Sequence, residues 1–309
     1  MSESTVDIAF TQQYGNRIRL LSQQMKSKFV PHVENDTISG AEYKAYDRLG
    51  ETEGQEVTTR HGDTPLNEQE HSRRWVSLTD VDIATPLDKF DEWKMLLNPK
   101  NKYQQAQVAY LRRKQDDIII AAALGDATAG KNRGTTVAFK DDSISINGDG
   151  TVTSLGTLAT AAGAAAVVDI DIAKMLLMLQ IFGDEDVDDD LKLYWAVTPK
   201  TISDMLALTK VGSADYSAVK NLQRGKVDEY AGFNWFRSTR ITKDAASETA
   251  YRSLAWAEDG IIFTQAKDVM VRISERADKR YMWQVYSCIS CGAVRYEGEK
   301  VHECLNKVA

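Results

Sequence analysis

A chain of 309 residues is long enough for one large domain or two ordinary ones with a substantial core. Its 43% hydrophobic and 8% aromatic content is that of a folded globular protein, and no run approaches the roughly 18 apolar residues that span a bilayer. A net charge of −7 excludes a protein whose main work is wrapping nucleic acid, so any contact with DNA is expected to be weak, local and lost by physiological salt.

The chain opens without a basic segment ahead of an apolar one, which points to the cytosol as the default compartment. Residues 4–28 carry a thin apolar stripe, Ile8, Tyr14, Ile18, Leu21 and Met25, on a polar helix. Such a stripe gains order by lying on the body or on a neighbouring subunit. Residues 29–87 change to short alternating runs rich in Thr, Val and Tyr, split by turn signals at Ser39-Gly40, Glu53-Gly54 and Asp63-Thr64-Pro65. This β-rich excursion has too little apolar surface for a core of its own.

The longest helical signal follows, over 98–124. Asn98 suits the cap, Pro99 the first turn, and Gly125 a left-handed stop. At 1.5 Å per residue it would run about 39 Å and serve as a strut. Val108, Leu111, Ile118, Ile119 and Ala122 share one face; Arg112 with Asp116 and Arg113 with Asp117 form i,i+4 pairs on the exposed side. The stretch 118–124 is apolar all round and should be buried.

Residues 131–165 are rich in Gly, Thr and Ala and read as a surface insertion, with N-G-D-G at 147–150 as a hairpin turn. From Val167 an α/β pattern begins: a helix through Met175, Leu176 and Leu179, a strand at 193–199, a helix after Pro199, a helix over 213–224, then strands at 232–238, 253–257 and 260–264. The last segment is a hairpin in which Val269, Val271 and Ile273 answer Tyr281, Trp283 and Val285, with a charged tip at 275–279. Its sheet is expected to cover the apolar end of the strut.

Chemical motifs fail on inspection. G-D-A-T-A-G-K at 125–131 has Asn132 where a phosphate loop needs Ser or Thr, and it follows a helix instead of a strand. Cys288, Cys291, His302 and Cys304 have the composition of a zinc site, but residues three apart on a strand face opposite ways, which favours buried thiols acting as small hydrophobes. The acidic run 184–190 has Asp189 and Trp195 where a calcium loop needs Gly and Glu. His61 reads as a loop hydrogen-bonder. No catalytic, cofactor or metal site is expected.

The order of arm, β excursion, spine helix, α/β insertion and late sheet resembles the major capsid protein of tailed bacteriophages, an α+β Hong Kong 97-like (HK97-like) fold, over nearly the whole chain. R-H-G-D-T-P-L at 60–66, H-S-R-R at 71–74, S-A-D-Y-S-A-V-K at 213–220 and I-S-E-R-A-D-K-R-Y at 273–281 are similar to one capsid-protein family of that fold. The resemblance implies an N-terminal arm (1–34), an extended β loop (35–87), a peripheral domain (88–165) with its spine helix and surface insertion, an axial domain (166–265) around the capsomer axis, and a returning peripheral sheet (266–309).

The function so implied is a structural one. Copies would self-assemble through pentamers and hexamers into an icosahedral shell around the phage genome, in the virion, after assembly in the host cytoplasm. The implied partners are other copies, a separate scaffolding protein, a portal and packaged DNA on the inner face; a decoration protein is left open, and no membrane or cofactor takes part. Candidate inter-subunit contacts are Tyr43, Tyr46, Arg48, Arg60, His61, Asp63, Arg73 and Arg74 on the excursion, because arginines and aromatics are enriched at interfaces. Arg272, Glu275, Arg276, Asp278, Lys279 and Arg280 on the hairpin tip join them. Changing Arg73 and Arg74 together to Glu is expected to leave the fold intact and disable assembly. An encapsulin-type shell and an α/β enzyme are the rival readings.

Overall fold

Two compact units divide the chain in the computed structural model, whose described residues are 20–50, 52, 54, 56, 60, 66–89, 100–153, 167–188, 190–207, 229–244 and 250–307. The first unit takes Met1–Lys26, Val81–Arg113 and Val269–Ile289; the second takes Ser27–Asp80, Lys114–Asp268 and Ser290–Ala309. The strands are β1 Glu34–Thr37, β2 Tyr43–Leu49, β3 His71–Ser77, β4 Thr79–Leu87, β5 Ala127–Ala129, β6 Thr135–Val137, β7 Ser145–Ile146, β8 Leu193–Val197, β9 Glu229–Tyr230, β10 Phe233–Arg237, β11 Ala250–Ala257, β12 Ile261–Arg276, β13 Met282–Arg295 and β14 Val301–Lys307. The spine helix runs Lys100–Leu124, and further helices run Phe139–Asp142, Ile172–Asp184 and Pro199–Ala207. Among the described residues no helix is long and apolar enough to cross a membrane.

In the second unit a mixed sheet has the order β7-β14-β11-β8-β10-β9. Its central strand β8, Leu-Tyr-Trp-Ala-Val, reads as an unbroken apolar run because both faces are covered. Trp195 and Val197 of β8 and Phe233 and Trp235 of β10 point to one side and pack with Met175, Met178, Ile181 and Phe182 of the helix Ile172–Asp184. On the opposite side Phe29 stacks on Trp256 at 5.6 Å and meets Phe236 edge-on at 5.0 Å, while Trp256 Nε1 donates to His32 O at 2.8 Å. Residues 27–32 are fixed there by the spine: Asp116 accepts from Ser27 Oγ and from the amides of Lys28 and Phe29.

In the first unit Gln107 of the spine ties two strands together. Its side-chain amide donates to Thr85 Oγ1 at 2.7 Å and Val285 O at 3.0 Å and accepts from Ser287 Oγ at 2.7 Å, so each side-chain group is satisfied where water is excluded. Val285, Ser287 and Ile289 alternate inward along β13, the period expected of a half-covered strand.

Several expectations need correction. Leu20–Lys28 is irregular where an arm helix was expected, with Leu21 and Met25 exposed, because long-range bonds hold it: Arg113 Nη1 donates to Gln23 Oε1 and Gln24 O, each at 3.0 Å. Asp116 is fully buried and Asp117 is held by Arg240, so the spine acids anchor other segments and are not surface i,i+4 partners alone. Within 118–124, Ala121 is exposed and Ile118 and Ala122 are half-buried, so the end of the spine is not buried all round. Gly125 does not adopt a left-handed backbone; it is needed because a Cβ there would sit 2.5 Å from Ala121 O.

The turn at 147–150 is present, with Gly150 N donating to Asn147 O at 3.0 Å. Its surroundings are no surface insertion, since Phe139, Ser145 and Ile146 are buried and β7 pairs with β14 in the six-stranded sheet. That sheet therefore takes strands from 145–146 and 301–307 as well as from 166–265. Ile8, Tyr14, Ile18, Asn98, Pro99, His61, Asp63, Asp189 and the helix expected over 213–224 lie outside the described residues.

Candidate functional site

The ribbon begins as β2 paired antiparallel with β3, from Tyr43 opposite Ser77 to Leu49 opposite His71, and its base widens through β5 and β6. Two of its candidate contact residues are committed within the subunit. The Tyr46 hydroxyl donates to Asp36 Oδ2 at 2.7 Å and lies 2.8 Å from Thr264 Oγ1, and burial raises its pKa. Arg48 Nη1 donates to Tyr296 O at 2.8 Å. Tyr43 carries the Arg133 guanidinium over its ring at 3.6 Å. Arg73 forks onto Asp47, its direct neighbour across the strands, and stays half-exposed; Arg60 is exposed.

Arg74 is different. Its side chain is 6% exposed, and Nη2 donates to both oxygens of Asp142 at 2.9 Å. The same carboxylate accepts from Nε of the fully buried Arg295 at 3.1 Å, and Arg295 Nη1 donates to Ala123 O at 2.9 Å and Gly125 O at 2.8 Å. Arg295 thus satisfies carbonyls left open at the C-terminal end of the spine, where the helix dipole also favours a cation. The surface role expected of Arg74 is corrected by this geometry: it locks the ribbon base to its own subunit.

At the hairpin tip β12 hands over to the turn Ala277–Lys279, after which Arg280 and Tyr281 take left-handed φ of 52° and 54°. Two consecutive non-glycine residues in that region are costly, at about 1–2 kcal/mol each. Arg276 pairs with Asp278 at 2.6 Å and Glu275 with Lys89 at 3.2 Å, while Arg272, Lys279 and Arg280 are exposed.

The sequence matches the phage capsid protein family over residues 6–308. The chain belongs to that family. No curated protein matches it. Solved structures that share its fold include the capsid of cyanophage P-SCSP1u, at TM-score 0.73 and 14% identity over 98% of this chain and 94% of that one. The cyanophage Pam1 capsid follows at 0.69 and 16% over 100% and 98%, and the capsid of a native GTA particle at 0.68 and 10% over 97% and 96%. The fold is the α+β Hong Kong 97-like one. As a phage capsid protein the chain is a structural subunit of the virion shell, built from many copies of itself.

In this capsid subunit the polar residues that sequence reasoning missed are Asp142, Arg295, Lys174 and the partners of Asp116. Lys174 is buried and donates to Val168 O and Leu305 O at 2.9 Å and to Gly148 O at 3.2 Å; burial lowers its pKa. The available signal was a lone cation inside an apolar run, I-A-K-M-L-L-M or G-A-V-R-Y, because such a residue is almost never buried without partners. Cys291 is buried and Cys288 half-buried, in step with the alternation along β13, and burial pushes the Cys291 and Cys304 thiols up to about 11.

His302 gives a pH prediction. Burial pushes it down to about 4 from 6.5, and its Nδ1 accepts from Ile144 N at 3.3 Å, so the folded state holds a neutral ring. The unfolded chain binds the proton first; stability is therefore full above about pH 6.5 and is lost as pH falls towards 4. At about 1.36 kcal/mol per pH unit the loss reaches roughly 3 kcal/mol. Urea midpoints of the wild type and His302→Phe at pH 7 and pH 4.5 should show a shallower pH slope in the variant, and equal slopes would rule out His302 as the cause.

Proposed function

We propose that this capsid protein assembles through pentamers and hexamers into an icosahedral shell enclosing the phage genome, with the β2–β3 ribbon and the β12–β13 tip working between copies. The observation that carries the reading is apolar exposure on the ribbon: Leu49 is 65% and Leu66 96% exposed in a segment too polar to form a core of its own. Arg60 on the ribbon, and Arg272, Lys279 and Arg280 on the tip, supply exposed cations of the kind found at interfaces, and the half-exposed Arg73 adds one more. A separate scaffolding protein and a portal complete the assembly in the host cytoplasm. Packaged DNA meets the inner face by weak non-specific contact, in keeping with the net charge of −7. The region 166–265, together with β7 and β14, forms the axial domain, and the first unit the peripheral one.

The test is Arg73→Glu with Arg74 left in place. The introduced carboxylate would face Asp47 across the ribbon, a like-charge pair on a solvated face, so the fold should persist with wild-type circular dichroism. Shells should form poorly or aberrantly in sedimentation, because a repeated contact amplifies a small loss. Normal particles at normal yield would reduce Arg73 to surface decoration.

A further inference from the structure

We propose that the open face of the ribbon base binds a nucleotide unit, its base stacked on Trp75 and its phosphate held by Arg133, supplied either as a free mononucleotide or as one residue of a single strand. The four-stranded sheet β2-β3-β5-β6 turns one face inward, where Val76 and Ala127 join Ile262 and Val294 in an apolar cluster. Residues directly opposite one another share a face, and on the other face Trp75 lies between Ala45 of β2 and Thr128 of β5. Both neighbours are small, and the indole stays only half-buried. Its Nε1 donates to Gly130 O at 2.7 Å, which fixes the ring before anything binds. Tyr43, two residues from Ala45 on the same face of β2, extends the aromatic surface. Two aromatic rings on the solvated side of a sheet forgo burial they would gain inside, unless a ligand covers them.

The rings border a cavity of about 410 Å³ that Ser77, Thr128, Asn132 and Arg133 complete. Arg133 is its cation. It sits in the turn between β5 and β6 with a left-handed φ of 60°, and its guanidinium lies over the Tyr43 ring at 3.6 Å and 6.0 Å from the Trp75 centroid. Arg73 also stands over Trp75, at 5.7 Å, but its charge is answered by Asp47. Among the described residues Arg133 makes no hydrogen bond or ion pair, so its five N–H donors remain for a phosphate, which a guanidinium grips through two parallel bonds. Aromatic faces and a guanidinium plane both stack nucleobases, and the hydroxyls and amide of Ser77, Thr128 and Asn132 bring polar groups for a base edge. A duplex keeps its bases inside the stack and does not enter. The site is therefore separate from any weak contact with packaged DNA.

Calorimetric titration of the full-length protein before assembly tests this. Adenosine monophosphate should bind, while adenosine and ribose 5-phosphate, each lacking one half of the ligand, should bind roughly tenfold more weakly or not at all. Arg133→Gly suits the left-handed backbone, so it should keep wild-type circular dichroism and melting while weakening adenosine monophosphate about tenfold or more. Trp75→Leu should weaken it as much; if that variant does not fold, Tyr43→Leu tests the stacking instead. A four-thymidine single strand that binds more tightly than thymidine monophosphate makes a nucleic-acid strand the occupant, and equal affinity makes it the free nucleotide. The proposal is overturned by no binding at millimolar adenosine monophosphate, by ribose 5-phosphate binding equally well, by undiminished binding in any folded variant, or by a blunt duplex competing as well as the single strand.

Discussion

Arg295→Ala should cost the subunit about 3–5 kcal/mol, the usual penalty for removing one partner of a buried ion pair. Native domains hold only about 5–15 kcal/mol in total, so the variant should be largely insoluble or melt far below the wild type. The reason is what Arg295 leaves behind. Ala123 O and Gly125 O lose their donor inside the protein, and Asp142 keeps Arg74 as its remaining guanidinium partner. Arg74→Glu should be as damaging, because it replaces the attraction to Asp142 with repulsion at a buried site. Arg295→Lys separates charge from geometry: a lysine keeps the cation but lacks the planar fork that reaches both the carboxylate and the helix carbonyls, so it should rescue only part of the loss. Thermal melts of the soluble fraction decide the matter. A wild-type melting temperature for Arg295→Ala would show that the cluster contributes little.

Ile119→Asp is the second large expected effect. Ile119 is fully buried on the spine, in line with Leu111, Gln115 and Ala123, and a carboxylate there would replace an apolar side chain away from water. The lost burial of an isoleucine, about 1.5–3 kcal/mol, adds to the several kcal/mol of an unpaired buried charge. The subunit should fail to fold. Ala121→Asp, two residues on and exposed, is the control; it changes the same helix by the same charge and should remain soluble with a cooperative melt. Soluble, cooperatively melting Ile119→Asp would refute the view of the spine as a buried strut.

How far the fold could be read in advance differs between elements for physical reasons. The spine helix, the strands β8, β10 and β11, and the charged hairpin have strong periods over many residues, and the structure has them where the pattern put them. The arm did not follow its stripe over 20–28, since a short polar helix lacks the nucleation and packing to compete with Arg113 and Asp116 holding its backbone in another shape. The stretch 139–146 was misread because a composition of small and polar residues says nothing about which sheet edge it will find; there β7 pairs two residues with β14, more than 150 positions away. Of the candidate contacts, Arg272, Lys279 and Arg280 are exposed and Arg73 is half-exposed, while Arg74, the next residue along the same strand, turns inward because β-strand neighbours face opposite ways.

By itself, then, the amino-acid sequence determined the spine helix, the strands β8, β10 and β11 and the hairpin and, through its specific residue runs, the capsid family. Both are local properties, carried by periodicity and by contiguous residues. Only the tertiary structure decided which charges lie inside. Asp142 meets Arg74 across 68 residues and Arg295 across 153, and Asp116 meets Phe29 across 87. A buried charge is tolerated when its partners arrive from elsewhere in the chain, and no local pattern records where those partners will be.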